Sequence, residues 1–314
     1  MLAAALLQIL LNGAASGGVY ALVALGYTLI FSVLGVINFA QGALFSLGGY
    51  LTFLLMGGRI GVNGALPGWH LTLALPFWLA LLLGAAGAGG VALLVERVAF
   101  APLRRRGADP LLALITSLGA GVVLVNLLQM LMGAEGYAFP AGAAALANLP
   151  EALLIGGARI RTVQLVLLLI SALAVAALTL WLERSRTGQA MRAVAEDPTA
   201  ATLVGINSAA IVRLAFLLSG MLAGLGGGLI GVSVSLAGPY FGISYGLKGL
   251  AVLVLGGLGS VPGAIAGGLL MGLAEALIPS EASGWRDALA FAVLFAVLVL
   301  RPSGLLGRRQ LEKV

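Results

Sequence analysis

The sequence predicts an all-α integral membrane protein of about eight transmembrane helices, in a range of about 6–10, some of them interrupted or re-entrant. Three features of the chain lead there. Of its 314 residues, 61% are hydrophobic and only 9% are charged, whereas a soluble domain carries about 25% charged residues. The apolar runs are long and continuous instead of alternating, which selects helices over a β-barrel. Glycine occurs 47 times, pointing to closely packed and broken helices. Cysteine is absent, which excludes disulfides, Cys-ligated metals and thiol catalysis. The net charge of +6 is gathered in short loops and reads as topology information, not as a nucleic-acid footprint. The N-terminus has neither a basic n-region nor a cleavage site and reads as mature sequence.

Apolar segments of spanning length, about 20 residues, fall near 14–33, 37–57, 72–98, 111–133, 163–182, 210–235, 248–274 and 287–300. Residues 2–11 either dip into the bilayer or extend the first span. No polar stretch is long enough for a separate soluble domain, so residues 1–314 read as a single transmembrane domain with a cytoplasmic loop at 183–210. Basic residues set the orientation. Arg97, Arg104, Arg105 and Arg106 form one cluster, Arg184, Arg186, Arg192 and Arg213 a second, and Arg301, Arg308, Arg309 and Lys313 a third. All three are expected in the cytoplasm, and the loops at 58–71, 134–162 and 275–286 outside.

This orientation demands an odd number of crossings between residue 213 and the 275–286 loop, where only two apolar segments lie. One segment must therefore be split. Gly256-Gly257-Leu258-Gly259-Ser260-Val261-Pro262-Gly263 is the expected break, since no continuous helix tolerates it cheaply. Asn38-Phe39-Ala40-Gln41-Gly42 with Gly48-Gly49 has a similar make-up to Tyr245-Gly246-Leu247-Lys248-Gly249 with Gly256-Gly257. The likeness suggests two related halves, whose interrupted helices mark a transit region. Asn38, Gln41, Gly42, Lys248, Gly256 and Gly257 are the pathway candidates. The amides of Asn38, Gln41, Asn126 and Gln129 are expected to face the bundle interior or a cavity. Glu96, Lys248 and Glu275 are read at span ends, where charge snorkels to water. The runs Gly220-x-x-x-Gly224-x-x-x-Gly228, Gly263-x-x-x-Gly267 and Gly268-x-x-x-Gly272 read as helix-packing faces. His70, beside Trp69, reads as an interfacial bystander, and no catalytic or ATP-binding motif is present.

Glu183 to Arg213 is the one long polar stretch. Asp197-Pro198 predicts a helix start, an Asp N-cap with Pro at the first position, and Gly205 predicts its stop. Met191, Val194 and Ala195 predict a short amphipathic helix before it. A simple connection needs about two to eight residues, so this segment reads as a rigid knob gripped by another protein. A lipid-surface helix is the bland alternative, and Glu196 and Asp197 fit it poorly.

Thr187–Asn207 resembles the cytoplasmic coupling segment of the branched-chain amino-acid ABC transporter permeases. Tyr20–Gly42 and Gly246–Ala264 resemble the same family, in matching order, and the more hydrophobic of its two permease types is the nearer likeness. The resemblance implies an ABC importer permease that hydrolyses no ATP itself and binds no cofactor, ATP being held by partner subunits. It implies two ATPase subunits, a second related permease, a periplasmic substrate-binding protein and a bacterial inner-membrane location with the coupling loop and C-terminus cytoplasmic. Arg192, Glu196, Asp197, Thr199, Ala200 and Gly205 then become ATPase-coupling candidates. Family members carry Glu-Ala-Ala-x-x-x-Gly where this chain has Thr199-Ala200-Ala201-Thr202-Leu203-Val204-Gly205, and often His where it has Gln41. A stand-alone secondary transporter or channel, and an importer of the same type for urea or short amides, are the alternatives.

Overall fold

Each apolar segment read from the sequence is helical in a computed structural model that describes residues 2–65, 67–72, 74–107, 109–139, 152–155, 158–278, 282, 284–301 and 303–307. Helix α1 (Leu2–Leu34) is continuous over 33 residues, so residues 2–11 extend the first span. Helix α2 (Gln41–Leu55) is shorter than the 37–57 segment, because residues 35–40 are not helical. Helix α3 (Phe77–Val95) passes through a π turn at Glu96–Phe100 into α4 (Ala101–Arg105). Pro102 cannot donate to the preceding turn, and the wider π turn absorbs that loss. Helices α5 (Pro110–Met132), α6 (Thr162–Arg184) and α9 (Ser208–Val234) are long spans. Between α6 and α9 lie the short α7 (Arg186–Glu196) and α8 (Pro198–Leu203). Helices α10 (Phe241–Gly256), α11 (Val261–Ala276) and α12 (Trp285–Leu300) follow.

Five of these helices are long and apolar enough to cross a membrane, and the α10–α11 pair makes a sixth if it is one span. The eight segments are therefore present, but eight crossings do not follow from helix length. Helix α2, with 15 residues, reaches about 22 Å against about 30 Å of hydrocarbon. The segment expected over 248–274 is two helices bent by 120° at the glycine-rich break. Three helices, α9, α10 and α11, now separate the polar segment from the next loop, which removes the crossing conflict.

Helix ends sort into two levels. Tyr137, after α5, and Leu236, after α9, exchange backbone hydrogen bonds of 2.8 Å. The two helices thus begin together at the other level, which brings the Arg104–Arg106 turn to the level of α7 and α8. The α10–α11 turn joins them there, since Gly259 approaches Phe31 near the end of α1, and α1 packs on α7. After α12, the amides of Leu305 and Leu306 donate to the carbonyls of Leu255 and Gly256, at 2.8 and 3.0 Å. The described members of all three arginine clusters therefore share one level. At the opposite level, β1 (Ala152–Ile155) and β2 (Ala158–Arg161) form an antiparallel pair that the all-α reading did not contain, and β2 packs on α1.

The expected glycine faces are packing faces. On α11, Gly268 and Gly272 meet Gly13 and Gly17 of α1 so closely that a Cβ at Gly17 would lie 2.8 Å from the Gly268 carbonyl oxygen. Lipid supplies no hydrophobic force between helices, so such close contact is what holds them. Replacing Gly272 with Val is expected to destabilise the chain by at least about 2 kcal/mol through overpacking, read as a lowered Tm in detergent.

Candidate functional site

The polar segment is a two-helix element with its ends locked. Ser185 caps α7, its hydroxyl accepting from the Gly188 amide at 2.8 Å. One carboxylate oxygen of Asp197 accepts from the amides of Thr199 and Ala200, at 2.8 and 3.0 Å, and Pro198 occupies the first turn of α8. At the other end Gly205 has φ +87°. Its amide donates to Thr202 and that of Ile206 to Ala201, each at 3.0 Å, which is a Schellman stop requiring left-handed backbone. Met191 and Val194 are buried in the main core, fastening α7 to the spans, whereas Ala195 is exposed.

Of the coupling candidates, Glu196, Thr199 and Ala200 are exposed on the outer side of the element. Arg192 is exposed too, but its guanidinium is already committed within the chain. Its guanidinium donates to the carbonyls of Leu182 and Glu183 in the last turn of α6, where a cation meets the negative end of the helix dipole. Sequence reasoning passed over Leu203 and Val204, which are 85% and 76% exposed at the tip of α8. Two adjacent apolar residues ending a polar six-residue helix were the available signal.

Asn38 and Gln41 lie in the break before α2, both fully buried. Asn38 accepts from the Ala40 amide at 3.1 Å, and the Phe39 amide donates to Ser117 of α5, also at 3.1 Å. Gln41 is matched to α9 at both ends of its amide, donating to the Ser219 carbonyl at 3.1 Å and accepting from the Ser219 hydroxyl at 2.9 Å. Gly42 rests on the backbone of Gly242 and Gly246 in α10. Helices α2 and α10 start alike, each after a turn whose last residue, Ala40 or Tyr240, is αR and offers no side-chain cap. Gly256 and Gly257 stand apart, at the α10–α11 turn, where Gly257 has φ +105° and packs on Gly307.

Glu275 does stand at the end of α11, but Lys248 does not stand at a span end, and neither charge snorkels to water. Lys248 lies in the middle of α10, and its ammonium sits 2.9 Å from a Glu275 carboxylate oxygen, with the two side chains 13% and 8% exposed. The Tyr20 hydroxyl donates to the other carboxylate oxygen at 2.5 Å, and the ammonium stands 5.6 Å from the Tyr20 ring centroid and 5.9 Å from that of Tyr245. Both side chains are largely buried, so each charge depends on the other. The group lines a cavity of about 700 Å³ between α1, α6, α9, α10, α11 and α12, at the level opposite the polar element. Glu96 is likewise buried and pairs with Arg104 at 3.0 Å. Asn126 departs from expectation the other way, exposed on the outer face of α5 with its amide donating to Val122 of the same helix at 2.8 Å. Gln129 is partly exposed on that helix. His70 is exposed, its Nδ1 3.3 Å from the Gly68 carbonyl oxygen.

Spans broken at depth, glycine-welded helices and a buried charged cavity define a multi-pass membrane transport protein. The family of the permease component of the branched-chain amino acid transport system matches residues 9–300. The chain belongs to this family. It is 36% identical over 312 residues to the high-affinity branched-chain amino acid transport system permease protein LivH of Escherichia coli strain K12, covering 98% of this chain and 97% of that one. It is also 36% identical to the high-affinity branched-chain amino acid transport system permease protein BraD of Pseudomonas aeruginosa, over 98% of each chain. A probable branched-chain amino acid transport permease protein of Methanocaldococcus jannaschii is 28% identical over 91% of this chain and 88% of its own length.

Removing either partner of the buried pair strands the other. Lys248→Met or Glu275→Leu alone is expected to cost about 3–5 kcal/mol, and the double substitution less than either. Thermal unfolding of the four proteins in detergent measures that non-additivity.

Proposed function

We propose that the chain forms part of the membrane pathway of an ABC importer for branched-chain or related amino acids, working by ATP-driven alternating access. Two ATPase subunits grip α7 and α8, a second related permease completes the pathway, and a periplasmic binding protein delivers substrate at the cavity end. The observation that carries this reading is the locked two-helix element with an exposed apolar tip. Capping at Asp197 and the glycine stop at Gly205 make it stiff, so a displacement at the tip reaches α6 and α9 without being lost in the element. Leu203 and Val204 supply apolar surface that a partner would bury, and Thr199 takes the position where the family carries Glu. The gathered arginines support a cytoplasmic side for this level and for the C-terminus, as in other inner-membrane proteins.

The crossing of α2, α9 and α10 at Gln41, Ser219, Gly42 and Gly242 acts as the closed septum, and the Gly256-Gly257 turn as the hinge of the α10–α11 pair. The named substrates of the relatives support branched-chain amino acids as cargo. A stand-alone transporter would have no use for a stiff apolar-tipped element held by a partner.

Leucine and valine each contribute about 1.5–3 kcal/mol when buried, so Leu203→Ser with Val204→Ser is expected to weaken ATPase capture by at least about tenfold. Quantitative co-purification with the ATPase subunits measures it, and undiminished capture would sink the docking role. Gly205→Val forces a β-branched residue into left-handed backbone at a cost of about 1–2 kcal/mol or more. It is expected to leave membrane insertion intact and to lower amino-acid uptake per ATP hydrolysed in reconstituted vesicles.

A further inference from the structure

The geometry points to a binding site for a free α-amino acid zwitterion inside this chain, in the cavity beside the Lys248–Glu275 pair. The inference rests on the amino-acid importer reading and adds to it a place and a set of contacts. Besides Glu275 Oε1, which is paired with Lys248, two buried polar atoms of opposite kind in the cavity wall are unspent. The Oδ1 of Asn12, an acceptor, and the Nε of Arg286, a donor, have no hydrogen-bond partner among the described residues, and both residues line the cavity. A buried polar atom without a partner is costly, and a ligand group that meets it recovers that cost. An acceptor can take one N–H of an ammonium, and a donor can meet one oxygen of a carboxylate.

The balance of charge agrees. Among the described residues, Lys248, Arg161 and Arg286 line the cavity against the carboxylate of Glu275. With Lys248 and Glu275 paired, the two arginines leave an excess of positive charge for a carboxylate, which a guanidinium receives as two parallel hydrogen bonds. Asn12 Oδ1 and the Glu275 carboxylate receive the ammonium. Ile9, Leu167, Ile230 and Ile278 provide apolar wall for a branched side chain. At about 700 Å³ the cavity falls within the range of about 300–1,000 Å³ typical of small-ligand sites.

The test uses the full chain in nanodiscs of phosphatidylcholine, with binding of radiolabelled L-leucine competed by L-leucinamide, which lacks the carboxylate, and by 4-methylpentanoate, which lacks the ammonium. Saturable leucine binding is expected, with each analogue at least about tenfold weaker. Arg286→Gln is expected to weaken leucine while leaving leucinamide unchanged, and Asn12→Leu to weaken leucine while leaving 4-methylpentanoate unchanged. Should either variant fail to fold, the analogue series on the unmodified chain still decides. Equal binding of all three compounds, no leucine binding, or leucine binding abolished by anionic phosphatidylglycerol, which would mark a lipid site, overturns the inference. ATPase capture is scored separately: capture without discrimination among the three compounds overturns the site alone, whereas leucine binding without ATPase capture overturns the importer reading and leaves the site standing.

Discussion

Helices in lipid gain nothing from leaving water, so they must hold one another by close backbone contact, and the whole molecule depends on glycine surfaces that permit it. Helix α9 is the centre of this arrangement. Its Gly224 and Gly227 lie directly against Gly48 and the Phe45 carbonyl of α2, and its Gly220 against Ala88 and Gly89 of α3. Helix α11 is welded to α1 in the same way. These contacts leave no space for a methyl group, so the helices meet backbone to backbone at the α2–α9–α10 crossing and along α1 and α11. The polar element leads into the start of α9, and through α9 it is joined to α1, α2 and α3.

Two kinds of buried polarity then serve different ends. At the break before α2, Gln41 is matched with Ser219, the Phe39 amide with Ser117 and the Asn38 oxygen with its own turn, while the Asn38 Nδ2 has no partner among the described residues. Non-helical backbone survives at this depth because it is enclosed by protein. Around Lys248 the polarity is instead left partly open to a cavity, with an ion pair fixed by Tyr20 and polar atoms of Asn12 and Arg286 still to be met. The first arrangement seals, and the second receives. Their separation along α10, with Gly242 and Gly246 on one and Lys248 on the other, makes that helix common to both.

Much of this was legible in the residues. Hydropathy located each apolar segment, glycine spacing the packing faces, and Asp197-Pro198 with Gly205 both ends of α8, because caps and stops are local physics with local signatures. The charge pattern demanded a broken segment near Gly256, and the bend between α10 and α11 is there. Other features escaped because they depend on distant partners. Lys248 and Glu275 looked like charges that snorkel to water while their helices were taken as one span. Arg192 looked free until α6 brought its terminal carbonyls into reach. Asn126 was expected inside and faces outward.

The sequence by itself determined a helical membrane protein, its family and the rigid polar element, since composition, period and capping act within a few residues of one another. Only the tertiary structure decided that α2 is a short helix entered at depth, that Lys248 and Glu275 meet, and that a charged cavity lies at the level opposite that element. Those outcomes join residues as far apart as Tyr20 and Glu275. No local preference encodes such a meeting, which follows only when the glycine faces have brought the helices together.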